Sequence, residues 1–185
     1  MTLLQEINVR DNKWLIVALN LAALLAFFPF LFLFLGLYSL VTGSPEIRFG
    51  FNLWDPFLEL FLLVVILILH EEIHGIFFKL FKPENKVKFG VIWKSLMLYA
   101  TSPGSLYSRG QMLIIGLAPF IVNSLLLTLL LALGWLPAFY YIFLASLHAA
   151  GCVGDFYYVY VLAWKHRSHK ILVEDTENGL KIFQA

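Results

Sequence analysis

Two histidines four residues apart, His70 and His74, bracket two glutamates in the stretch "LILHEEIHGIFF", residues 67–78. On a helix that spacing puts both imidazoles on one face, where they can converge on a single ion. Glu71 lies about 100° round the same helix and can reach a water on that ion. This is the HExxH pattern, and its chemistry is metal-assisted hydrolysis: neutral imidazoles hold zinc and the first glutamate acts as general base. Glu72 has no place in that scheme. The surrounding residues are hydrocarbon, and ionisable groups within a membrane-spanning helix each cost about 2.5–3.5 kcal/mol on insertion scales, so they mark functional interiors.

A hydrolytic zinc site takes a third protein ligand and keeps one position open for water. The available groups are His148, Cys152, Asp155 and Glu59. Depth orders them. His70 lies nine residues before Lys79 and Asp155 ten before Lys165, so both sit about 13–15 Å in from the charged boundary at 1.5 Å per residue. His148 stands about 10 Å further along a straight helix, too far to share an ion with Asp155 unless that helix breaks. The Cys152 thiolate would suit zinc, although a single cysteine among apolar neighbours reads as a small buried hydrophobe. Glu59 falls near the outer surface, where a solvated carboxylate is expected. Asp155 is the preferred third ligand, with His148 and Cys152 kept as alternatives. His148 otherwise faces the same cavity or bonds across helices. Asn123 reads as an interhelical hydrogen-bonding residue rather than an oxyanion donor.

The elements that must position these groups are membrane helices. Of 185 residues, 61% are hydrophobic and 14% charged, and the mean hydropathy is +0.82, which excludes an ordinary soluble domain. Apolar runs of spanning length cover about 14–41, 56–80, 109–134 and 137–164. The segment between the second and third carries "VKFGVIW" and "LMLYAT", joined through Lys94 and Ser95, and reads as a β-hairpin over about 86–101. The tail, 165–185, has strand-turn-strand character around Asn178 and Gly179. The expected fold is an all-α polytopic bundle of four transmembrane helices with a cytosolic β-hairpin, forming one integral membrane domain over 1–185. Small residues at 145, 149–151 and 154 strip bulk from the last span and let another helix approach Asp155 closely. All of the 13 Lys and Arg except Arg48 fall on one side of this topology, which places both termini in the cytosol of a multi-pass cell-membrane protein. The single cysteine excludes an intramolecular disulfide.

Three segments carry a family resemblance: "HEEIHG" on the second span, "LAPFIVN" on the third and "HAAGCVGD" on the fourth. Together they resemble the bacterial zincin peptidases, small four-span membrane proteins, over about residues 56–165. More distantly the arrangement is similar to site-2 proteases, which hold zinc within the membrane through HExxH and a downstream aspartate. The resemblance implies His70, His74 and Asp155 as ligands of one Zn2+ and Glu71 as the catalytic carboxylate. It departs from the site-2 pattern in that Asp155 follows a glycine and precedes Phe156.

The resulting expectation is a zinc-dependent intramembrane metalloprotease in which Glu71 activates a zinc-bound water. Its partners are a membrane protein or peptide substrate and the lipid bilayer, with no nucleic acid. Two readings of the hairpin stand open: its edge pairs with an extended substrate strand, or it only caps the bundle. Two alternatives use the same residues: a catalytically silent zinc-binding membrane protein, and a metal or ion transporter, which the absence of internal repeats disfavours.

Overall fold

A computed structural model of the chain describes residues 1–47, 52–92 and 97–185. Arg48, Lys94 and Ser95, used above for orientation and for the hairpin turn, lie outside the described residues. Helices α1 (Lys13–Thr42), α2 (Asp55–Phe81) and α3 (Arg109–Ala132) are long and apolar enough to cross a membrane. The fourth apolar run is not one straight helix. It divides into α4 (Ala138–Gly151) and α5 (Val153–Tyr160), continued by a π-helical turn (Val161–Lys165), with a bend of 42° at the break. Among the described residues, three helices are long and apolar enough to span, or four if the bent pair is one span.

Helix boundaries follow local chemistry. Asn12 caps α1 by accepting the Leu15 amide at 3.0 Å, and α1 ends at Gly43, whose φ of 68° is the left-handed conformation glycine tolerates. A capping box opens α3: Ser108 accepts from the Gln111 amide, and the Gln111 side chain accepts from the Ser108 amide.

The all-α expectation needs correction, because strands from distant parts of the chain form two sheets. The expected hairpin is β2 (Lys88–Ile92) paired antiparallel with β3 (Met97–Thr101), from Lys88 opposite Thr101 to Ile92 opposite Met97. A four-stranded antiparallel sheet runs in the order β1-β6-β5-β4, where β1 is Thr2–Asn8, β4 Leu106–Ser108, β5 Ile171–Thr176 and β6 Gly179–Gln184. The tail hairpin β5–β6 turns at 177–178, where the strand-turn-strand pattern places it. The N-terminal segment is the edge strand β1.

Two hydrophobic cores divide the molecule. One lies between the helices and gathers Phe34, Ile66, Leu127, Tyr141, Leu144 and Ala145. The other lies under the larger sheet and joins Phe78, Tyr107, Ile115, Leu162, Val173 and Ile182. Helix α2 serves both, Ile66 in the first and Phe78 in the second, and the two motif histidines fall on the stretch between. Arg109, at the start of α3, ties the sheet to the bundle: its guanidinium donates to the carbonyls of His166, Arg167 and His169. Outward-facing Leu21, Leu24, Phe28 and Phe32 on α1 and Phe57 and Phe61 on α2 are more than half exposed, the surface a helix presents to lipid rather than to water.

Candidate metal centre

The site is assembled from three helices. His70 and His74, buried on one face of α2, direct their Nε2 atoms to within 3.1 Å of each other. From α5, just past the helix break, Asp155 brings Oδ2 to 3.2 Å from His70 Nε2 and Oδ1 to 3.4 Å from His74 Nε2. One ligand atom from each of the three lies within 4.8 Å of the other two. The donor set is two imidazoles and one carboxylate, which is the set a catalytic zinc takes.

The tautomer of His74 is decided by its second nitrogen. Nδ1 donates to the Ile115 carbonyl of α3 at 3.0 Å, so the lone pair faces Asp155 through Nε2. That carbonyl is available for a reason written in the sequence. In an α-helix it would accept the amide four residues on, but position 119 is proline, which has no N–H. Pro119 thus leaves one backbone acceptor at membrane depth, and His74 takes it. His70 is oriented in the same manner by a side chain: its Nδ1 lies 3.2 Å from His148 Nε2.

Glu71 is half-buried beside the pair, and its carboxylate is hydrogen-bonded to the Ala100 backbone amide of β3. The general-base candidate is therefore steadied by the hairpin. Glu72, which has no place in the HExxH scheme, is exposed. A cavity of about 230 Å³ opens on these groups; His70, Glu71, His74 and Asp155 form one wall, and β3 residues Leu98–Thr101 another.

The helix break corrects one placement made from depth. His148, placed about 10 Å away on a straight helix, is beside His70, and Cys152 at the break has Sγ 3.8 Å from both His70 Nδ1 and His148 Nε2. Asn123, fully buried, makes the expected interhelical contact, with Nδ2 at 3.0 Å from His148 Nε2. Glu59 is not a solvated carboxylate: both of its oxygens are buried and lack a hydrogen-bond partner among the described residues.

Sequence reasoning missed Asp175. It lies on β5, lines the cavity, and accepts a hydrogen bond from the Thr101 hydroxyl at 2.9 Å. Burial pushes its carboxyl up to about 7, against the opposing pull of the Thr101 hydroxyl and of His74. No spacing rule connects residue 175 to residue 70. The signal available was the pair of acids, Glu174 and Asp175, that follows the apolar half of the strand "ILVEDT".

Residues 63–169 match the family described as "Putative zincin peptidase". The chain belongs to that family. The matched region contains the HExxH motif of α2, Pro119 of α3 and the helix break with Asp155. Asp175 and the β5–β6 hairpin fall outside it. No curated protein and no solved structure is similar enough to the chain to count as a match. The family description points to a zinc metallopeptidase, and the residues fit such an ion: both Nε2 atoms and the Asp155 carboxylate converge without an intervening side chain, and each imidazole has a partner on its other nitrogen.

Proposed function

We propose that the protein is a zinc-dependent intramembrane metallopeptidase, with His70, His74 and Asp155 holding the ion and Glu71 as the catalytic carboxylate. The observation that carries this reading is the convergence of those three donors in the lining of a cavity that Glu71 also lines. Zinc, when bound, supplies a Lewis acid that makes water nucleophilic near neutral pH and polarises a carbonyl. Glu71 takes the proton of the attacking water and returns it to the leaving amine. Each imidazole offers Nε2 to the ion and donates from Nδ1, His74 to Ile115 and His70 to His148.

The substrate class is a peptide in extended form, presented in or beside the membrane. Strand β3 lines the cavity with Leu98–Thr101, so an added strand there would lay its peptide bonds across the donors. Four crossings, with both termini in the cytosol, suit the sheet: β1 at the start of the chain pairs with β6 at its end, and β4, which leads into α3, pairs with β5. An even number of crossings precedes each of these pairings, and the bent pair α4–α5 then counts as one span.

The decisive variant is Glu71→Gln, assayed on the full chain in proteoliposomes for zinc content and for cleavage of labelled casein and a labelled single-span peptide. The reading requires zinc at the wild-type level with turnover abolished. Cleavage that survives in the variant removes Glu71 from the chemistry and leaves the ion as a staple between α2 and α5.

A further inference from the structure

His70 has two ring nitrogens, and the centre described above uses one. Its Nδ1 faces a second set of buried donors. His148 Nε2 lies 3.2 Å from it, Cys152 Sγ lies 3.8 Å from it, and Sγ to His148 Nε2 is again 3.8 Å. A tetrahedral zinc has bonds of about 2.0–2.1 Å to nitrogen and about 2.3 Å to sulfur, which spaces its ligand atoms about 3.4 Å apart for two nitrogens and about 3.6 Å for nitrogen and sulfur. Each side of the observed triangle departs from that by about 0.2 Å, within the tolerance of a metal site.

The hydrogen bonding of the cluster points the same way. With His70 offering Nε2 to the outer ion, His148 Nε2 is an acceptor with one lone pair, yet two N–H groups are aimed at it, His70 Nδ1 and Asn123 Nδ2. Asn123 is fully buried, and its Oδ1 has no partner among the described residues. A half-turn of that amide puts oxygen where Nδ2 now lies, 3.0 Å from His148 Nε2, supplying a fourth donor.

We infer that His70 Nδ1, His148 Nε2 and Cys152 Sγ, completed by the Asn123 carboxamide oxygen, form a second, inner metal position for thiophilic ions such as copper(I) or excess zinc. A thiolate among imidazoles selects soft ions. Entry of the ion releases the Cys152 thiol proton, which now lies toward the His148 carbonyl at 3.2 Å. The ring proton of His70 moves from Nδ1 to Nε2, where Asp155 accepts it, and His148 keeps its proton on Nδ1. One proton leaves per ion bound. His70 then has no lone pair for the outer position, so the two positions exclude each other and the inner one is an off state. That regulatory consequence rests on the outer centre being the hydrolytic one; the binding itself does not.

The test is a cobalt(II) titration of the full chain purified in detergent, using wild type, Asp155→Ala, and Asp155→Ala combined with Cys152→Ser. Asp155→Ala should show the thiolate-to-cobalt charge-transfer absorption. The double variant should lack it and bind cobalt at least about tenfold more weakly. In wild type, copper(I) added to zinc-loaded protein should release one zinc per copper bound, and Cys152→Ser should prevent that release. Cobalt bound by Asp155→Ala without the thiolate band, or equal zinc release from wild type and Cys152→Ser, overturns the inner position. Cobalt bound by wild type only through the thiolate overturns the outer centre instead.

Discussion

Replacing Pro119 by alanine adds one N–H at the place where the structure has made use of its absence. The Ile115 carbonyl accepts His74 Nδ1 at 3.0 Å because the residue four places on offers no amide. In the Pro119→Ala variant the helix closes on that carbonyl. The helix gains: proline in a helix interior is about 3 kcal/mol less favourable than alanine. The metal centre loses, because partners that orient a ligating histidine contribute about 10–100-fold to metal affinity. The carbonyl retains a second lone pair, which puts the expected loss at the low end, about tenfold or about 1.4 kcal/mol. Stability and zinc affinity should therefore move in opposite directions. Zinc dissociation constants come from chelator competition in detergent, and stability from the thermal midpoint of the metal-free protein, since bound zinc would itself raise that midpoint. Pro119→Gly restores the same N–H with little helix preference, so it should weaken zinc equally while raising the midpoint less than Pro119→Ala does. If both variants bind zinc as wild type does, the Ile115 carbonyl does not orient His74 and the reasoning fails.

Other perturbations separate the remaining roles. Asp155→Ala should strip zinc from the purified protein, whereas His148→Ala should retain it with affinity reduced about 10–100-fold, because His148 orients His70 without ligating the outer ion; metal analysis of the two variants side by side decides, and an empty His148→Ala would reverse the assignment. Asp175 is neutral in the folded protein up to about pH 7 and ionises near pH 4 when unfolded. Its contribution to stability is thus present below about pH 4 and is lost as pH rises toward 7; the midpoint of metal-free wild type should fall relative to Asp175→Asn over that interval, and a constant difference would contradict the burial of this acid. Arg109→Gln removes charged donors from three tail carbonyls, each worth about 1.5–3 kcal/mol, and should raise hydrogen exchange in β5 and β6 ahead of the helices; uniform protection would show that the sheet does not need the clamp.

The sequence exposes what short spacings control. HExxH is a local pattern on one helix face, and His70, Glu71 and His74 sit as that periodicity places them. Depth finds Asp155 because α5 lies level with the motif. The same arithmetic fails for His148 because it assumes one straight helix through residue 152. Nothing in "HAAGCVGDF" encodes a 42° bend except an excess of small residues, and those are equally consistent with close packing of an unbroken span. The β1–β6 pairing joins residues 2–8 to 179–184, a contact between chain ends that no window of sequence contains. Asp175 enters the cavity by that route, carried on a strand whose partners are decided by tertiary pairing rather than by periodicity.

Both irregularities of the helices, Pro119 in α3 and the break at Cys152, occur where the site needs them. Backbone that leaves the helical pattern at membrane depth is tolerated only where protein groups replace the lost hydrogen bonds. At the first, the freed Ile115 carbonyl meets His74. At the second, the Cys152 amide bonds back to the His148 and Ala149 carbonyls, and its thiol meets the His148 carbonyl as well. The break then turns Asp155 toward one edge of His70 while leaving His148 and Cys152 against the other. A straight helix would set His148 and Asp155, seven residues apart, about 10 Å from each other along its axis, farther than the partners of one imidazole's two nitrogens stand from each other. The bend removes that limit, and it is why one histidine can serve two sets of donors.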